Sequence, residues 1–232
     1  MMIASTDRLV VRDWTDAPDD LARIYDIYSR DEVMRWLGGG KGRMTDPAEA
    51  AERVRGWRER YDEYAGRWGI WAIEPREAGR AAGSVLLKPL PGRDGVTPTD
   101  DIEVGWHLHP DSQGYGYATE AARVVLDREF ATGTRQVYAV VMAGNEPSMA
   151  VARRLGMTYL GVRTDWYGGV DLETFVLAGR TERLLAQAAS HVAPTSVRPP
   201  VPWELLAHRL CDPAGCGAAR LGWWVARCPL RG

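Results

Sequence analysis

His109-Pro110-Asp111-Ser112-Gln113-Gly114-Tyr115-Gly116-Tyr117-Ala118-Thr119-Glu120 separates two segments of different periodicity. Before it, Asp101 to His109 alternates. Ile102, Val104, Trp106 and Leu108 face one way, and Glu103, Gly105, His107 and His109 face the other, as in a strand. After it, Ala118, Ala121, Ala122, Val125 and Leu126 form an apolar stripe on a helix from Tyr117 to Phe130. A glycine turn between a strand and a helix presents unpaired N–H groups at the positive end of the helix. That arrangement suits an anion, most simply a phosphate.

Upstream, Arg8 to Trp14 reads as a strand, and Asp16-Ala17-Pro18 opens a helix carrying Leu21, Ile24, Tyr25 and Tyr28. Gly38-Gly39-Gly40 breaks the chain. A second helix starts near Thr45-Asp46-Pro47 and runs through Val54, Trp57 and Tyr61. Trp68 to Glu74 and Ala82 to Lys88 are strands, and Leu90 to Asp100, rich in Pro, Gly and Asp, reads as a loop. Downstream come a strand over Gln136 to Met142, a helix over Glu146 to Leu155 ending at Gly156, and strands over Met157 to Arg163 and Leu172 to Leu177. The order β-α-α-β-β-β-α-β-α-β-β describes a mixed α/β domain over residues 1–180. Residues 181–232 differ in character. Pro194, Pro199, Pro200 and Pro202 mark a linker, and Trp203 to Gly232 has little periodicity, so a weakly ordered extension is expected.

The chain's 45% hydrophobic content is enough for a buried core, and its 29 basic and 31 acidic residues leave a formal charge of -2. That balance gives no global attraction to nucleic acid or to an anionic membrane. No apolar run approaches the roughly 18 residues that span a bilayer. Met1 to Arg12 lacks the apolar core of a signal peptide, so a cytoplasmic location is expected. Cys211, Cys216 and Cys228 all lie in the extension, and with His208 they match no CxxC metal pair. The expectation is no metal site and no thiol chemistry in the main domain.

The glycine turn fits two familiar phosphate motifs poorly. A P-loop needs a lysine that this turn lacks. A dinucleotide fingerprint needs a third glycine where Thr119 stands. A plain tight turn that uses glycine for its backbone freedom remains open on these residues alone. The segment Gln113-Gly114-Tyr115-Gly116-Tyr117-Ala118 does fit the pattern Gln/Arg-x-x-Gly-x-Gly/Ala. Here the chain resembles the Gcn5-related N-acetyltransferase (GNAT) superfamily, and within it the branch of ribosomal-protein N-terminal (RimJ/RimL-like) acetyltransferases. Glu103-Val104-Gly105-Trp106-His107-Leu108 resembles that branch's preceding strand, and Ala118-Thr119-Glu120-Ala121 its helix start. Asn145-Glu146-Pro147-Ser148 with Arg154-Leu155-Gly156-Met157 resembles its next motif. The likeness covers about Thr6 to Arg180.

The resemblance implies a mostly antiparallel central sheet flanked by helices, with a splayed strand pair holding acetyl-CoA. It implies acetyl transfer directly to a primary amine, on a protein N-terminus or a small molecule, through a ternary complex. The amides from Gln113 through Gly114, Tyr115, Gly116, Tyr117 and Ala118 would surround the pyrophosphate, with Thr119 at the helix mouth. Trp106, His107 and Leu108 would pair with the pantetheine arm, and Asn145 would bond to it. Glu103 is the first candidate base, with His107 as its alternative on better intrinsic pKa. Many superfamily members hold a tyrosine before the position of Gly156, where this chain has Arg153-Arg154-Leu155. Ser148 is therefore the expected partner of the leaving sulfur, although Asn145 and Ser148 also suit a helix cap. Trp36, Asp165, Trp166 and Tyr167 are candidate acceptor-side residues. No metal, nucleic acid or membrane partner is expected, and a homodimer stays open. The competing reading is a non-catalytic acyl-CoA sensor or interaction module on the same fold.

Overall fold

The computed structural model describes residues 1–38 and 42–179. The expectations for the linker, the cysteines, His208 and most of the Gly38-Gly39-Gly40 break lie outside the described residues. Among the described residues, eight strands form one sheet in the order β1-β2-β3-β4-β5-β6-β8-β7. They are β1 (Met2–Ser5), β2 (Leu9–Asp13), β3 (Gly69–Pro75), β4 (Gly83–Pro91), β5 (Pro98–Leu108), β6 (Gln136–Met142), β7 (Thr158–Arg163) and β8 (Leu172–Ala178). The helices are α1 (Pro18–Tyr28), α2 (Asp31–Met34), α3 (Glu49–Glu63), α4 (Tyr117–Phe130) and α5 (Glu146–Arg154). All neighbouring strands are antiparallel except β5 and β6, which are parallel and joined through α4.

Both faces of the sheet are covered. On one, Leu9, Ile73, Val85 and Val104 pack with Ala121, Ala122, Val125 and Leu126 of α4 and Met149 and Ala152 of α5. The small side chains of α4 bring its backbone close to the sheet. On the other, Trp14 and Ala72 pack with Ile24, Ile27 and Tyr28 of α1 and Val54 and Trp57 of α3. Glu103 and His107 belong to this second face. The alternation of β5 reads as apolar-in and polar-out, yet Glu103 is only 7% exposed. Its polar face is a covered layer whose groups bond to one another.

Three elements differ from the sequence reading. Leu90 to Asp100 is not one loop: β4 continues to Pro91, β5 begins at Pro98, and the turn is confined to residues 92–97. The prolines are tolerated because β3 pairs with β4 only as far as Leu87, so Pro89 and Pro91 need no N–H on that side. A register shift between them accommodates the misfit with β5. Asp94 closes the turn by accepting from the amides of Val96 and Thr97, both at 2.9 Å. The edge strand β1 and the single turn α2 are additions, each four residues long and too short for a periodic signal.

Candidate functional site

β5 and β6 pair at Glu103 opposite Tyr138 and at no further position. Beyond that bridge the strands part. Their direction puts Leu108 and Met142, the two C-terminal ends, at the open end of the gap. Alternation decides which backbone groups face it. His109 N–H donates to Ala82 O at 2.9 Å, on the β4 side. The groups of Val104, Trp106 and Leu108 therefore point the other way, toward β6. Among the described residues, this leaves the strand edge at Trp106 and Leu108 without a partner strand.

The glycine turn follows Leu108 directly. After the 3-10 turn Pro110–Ser112, Gly114 and Gly116 adopt φ of +86° and +83°. Gly116 is the N-cap of α4 and offers no side chain to its first amides. Gln113 to Gly116 are exposed, Tyr117 and Thr119 are half-buried, and Ala118 is buried. The Thr119 hydroxyl oxygen is buried at this helix start without a hydrogen-bond partner among the described residues. Uncapped amides and an unsatisfied hydroxyl form a set of groups that fits an anionic ligand.

Two side-chain systems brace the turn. Arg8, the residue before β2, donates through Nη1 to Tyr115 O at 3.2 Å and through Nε to Glu120 at 2.9 Å. Thr6 also donates to Glu120. On the other side, buried Arg23 donates to Asp111 at 2.7 Å, as does Arg80. Burial pushes the Asp111 carboxyl up, but bonds from Arg23, Ser112 and His109 outweigh it and hold the group well below the usual range. The sequence reading missed Arg8, Arg23 and Arg80, because nothing local marks an arginine whose partner lies far along the chain.

Asn145 caps α5, its side-chain oxygen accepting from Ser148 N–H at 3.3 Å. The Asn145 amide NH2 and the half-buried Ser148 hydroxyl are not used by that bond. Because α5 follows the end of β6, this cap lies at the same open end as the glycine turn.

At the closed end, Glu103 sits in a cluster. Tyr167 Oη donates to Glu103 Oε2 at 2.6 Å, Lys88 Nζ donates to Tyr167 Oη at 2.7 Å, and Lys88 Nζ lies 3.5 Å from Glu103 Oε2. Lys88 is the cross-strand neighbour of Glu103. Burial first, and then the adjacent Glu103 charge, push the Tyr167 phenol far up, so it stays a donor. Tyr167 holds a φ of +51°, unusual for a residue with a side chain, and is pinned by its N–H to Pro91 O at 3.1 Å. Its neighbour Trp166 is buried against Leu90 and Tyr138 and donates to Asp101 at 3.0 Å. Asp165 is half-exposed, 3.8 Å from Arg163. Trp36 is half-buried beyond α2, with the Arg35 guanidinium 4.9 Å above its ring. Of the four acceptor-side candidates, Tyr167 alone is bonded to Glu103.

His107 lies on the same face. Its Nε2 bonds to Tyr28 Oη, which lies 3.1 Å from Ser84 Oγ, and Ser84 accepts from Trp14 Nε1 at 3.0 Å. His107 Nδ1 is buried without a partner among the described residues. Burial, aided by the Arg53 charge, lowers the imidazole to about 4, so the ring is neutral near pH 7.

Known proteins resemble this chain in sequence and in fold. The family described as the acetyltransferase (GNAT) domain matches residues 8–158. An uncharacterized protein of Bacillus subtilis, YkkB, is 29% identical over 165 residues, covering 69% of this chain and 88% of its own. Among solved structures, an acetyltransferase from Agrobacterium tumefaciens superposes with a TM-score of 0.58 at 22% identity, covering 75% of this chain and 92% of its own. RimL, a ribosomal L7/L12 α-N-protein acetyltransferase in complex with coenzyme A, superposes with a TM-score of 0.61 at 16% identity, covering 77% of this chain and 98% of its own. At such identities these two structures speak for the fold.

Proposed function

Since the chain belongs to the GNAT acetyltransferase domain family, we propose that it moves an acetyl group from acetyl-CoA directly to a primary amine within a ternary complex. The observation that carries this reading is the gap between β5 and β6, with the uncapped start of α4 at its open end.

Acetyl-CoA supplies the acetyl thioester when bound. The amides of Gly114 to Thr119 and the Gln113 carboxamide hold its pyrophosphate. Glycine at 114 and 116 lets the backbone come close, and the helix start adds roughly 0.3–1 kcal/mol per charge. The free edge of Trp106 and Leu108 binds the pantetheine arm as an added strand would. An N–H on this edge polarises the thioester carbonyl, an effect typically worth about 3–4 kcal/mol. Asn145 keeps its NH2 for the arm, and the Ser148 hydroxyl hydrogen-bonds the departing sulfur.

Glu103 accepts the amine proton. It stands three residues from Trp106, about 10 Å along the strand, so the proton passes through water. Tyr167 and Lys88 fix Oε2, and neither contact uses Oε1. His107 is less suited as the base, because Nε2 is occupied by Tyr28 and Nδ1 is shut off from solvent.

The acceptor is an amine on a protein N-terminus or a small molecule. RimL acts on a ribosomal-protein α-amine, which makes such peptides the first acceptors to test. The experiment is free-thiol release from acetyl-CoA with a panel of peptides and small amines, checked by intact mass. Acceptor-dependent thiol release with a mass gain of one acetyl group is expected. Binding of coenzyme A with no release above background across the panel would replace transfer with acyl-CoA sensing.

A further inference from the structure

We propose that the side chain of Tyr115 is the stacking platform for the adenine base of acetyl-CoA. This rests on the acetyl-CoA reading above and adds a recognition element for a part of the donor far from the thioester.

Tyr115 sits between the two positive-φ glycines, and the residue is 59% exposed. A large aromatic on a tight turn is normally turned inward or replaced by a polar residue, because exposing it gains nothing in folding. Here the ring is held outside. It lies on Tyr117 with centroids 5.4 Å apart and planes 15° from parallel. Arg8 adds a second restraint, bonding Tyr115 O and sitting 5.6 Å over the Tyr117 ring. The Tyr115 ring thus has a fixed plane, one face on Tyr117, and most of its surface open to solvent beside amides suited to a pyrophosphate.

A flat, pre-ordered π surface next to a phosphate site suits a nucleobase, which stacks without needing a specific hydrogen-bond pattern. The Arg8 charge is already matched by Glu120, so this platform selects a ring rather than an extra phosphate.

The test compares three donors by direct binding: acetyl-CoA, its analogue without the 3′-phosphate, and acetylpantetheine 4′-diphosphate, which keeps the pyrophosphate and lacks the adenosine. For Tyr115→Ala, Kd should rise about 5- to 30-fold for the first two, in line with typical base–aromatic stacking. It should stay within about twofold for the third, whose unchanged affinity also reports an intact turn. Tyr115→Phe should keep wild-type affinity for all three. Equal losses for all three donors, or no loss for any, would overturn the platform. So would a loss confined to acetyl-CoA, which would assign the ring to the 3′-phosphate. Wild-type protein that binds none of the three would instead overturn the acetyl-CoA reading itself.

Discussion

Tyr167 donates its phenol hydrogen to Glu103 Oε2 at 2.6 Å, tying the loop after β7 to the central strand. Lys88 donates to the same phenol oxygen at 2.7 Å. The carboxylate that stands nearest the parting of β5 and β6 is therefore fixed from two elements. If it takes the amine proton, Glu103→Gln should lower kcat about 10²- to 10⁴-fold while leaving the Kd for coenzyme A nearly unchanged. Tyr167→Phe should lower kcat less, because it removes the positioning bond and not the base. Steady-state thiol release together with calorimetric binding separates these outcomes.

The glycine at the start of α4 invites a different substitution. Gly116 has φ of +83°, and an added Cβ would meet only Arg8 Nη2, at 3.7 Å. Space is not the obstacle there; backbone conformation is. Gly116→Val should cost about 1–2 kcal/mol of stability and raise the Kd for acetyl-CoA at least tenfold, by moving the amides out of position. Urea unfolding and a binding titration on the same preparation check both.

Arg8 and Glu120 form an ion pair with Arg8 largely exposed. Such pairs contribute about 0–1 kcal/mol to stability. The same guanidinium also holds Tyr115 O. Arg8→Ala should therefore leave the melting temperature within a few degrees while weakening acetyl-CoA binding several-fold. A loss of stability well above 1 kcal/mol, with unchanged binding, would assign Arg8 to the fold alone.

Ser84 is completely buried and accepts from Trp14 Nε1 beside Tyr28 Oη. Ser84→Ala leaves the Trp14 N–H without its acceptor in the core. A destabilisation of about 1–3 kcal/mol is expected, measured by chemical denaturation.

His107 predicts a pH dependence. Its folded value is about 4, against about 6.5 in an unfolded chain. Between those values the unfolded state holds the proton and the folded state does not, so stability rises with pH. The contribution is fully present above about pH 6.5, and about 3 kcal/mol of it is lost as pH falls to about 4. Unfolding at pH 7 and pH 5 should show wild-type protein losing about 2 kcal/mol more than His107→Gln. Equal losses would mean that the ring takes up its proton in the folded state too.

Some of the site can be read in the sequence because its signals are local. Gly114 and Gly116 mark backbone angles that favour glycine, and both are positive. Asn145 three residues before Ser148 marks a cap, and the bond is present. The apolar stripe of α4 is buried where its spacing put it. The boundaries of β4 and β5 were harder to read. Pro89 and Pro91 look like strand breakers until the pairing of β4 with β3 is seen to stop at Leu87, and that depends on a strand some twenty residues away.

By itself, the sequence determined the strand, the glycine turn and the helix that follows it, since each follows from periodicity and backbone freedom within a dozen residues. Tertiary structure alone decided what surrounds the two polar side chains of β5. Glu103 meets Tyr167 from a loop 64 residues later, and His107 meets Tyr28 from a helix 79 residues earlier. It also decided that β6 pairs with β5 at one position, so that β6 does not cover the edge of Trp106 and Leu108. Side-chain alternation assigns a face to each residue, but strand register and the packing of distant elements determine what lies against that face.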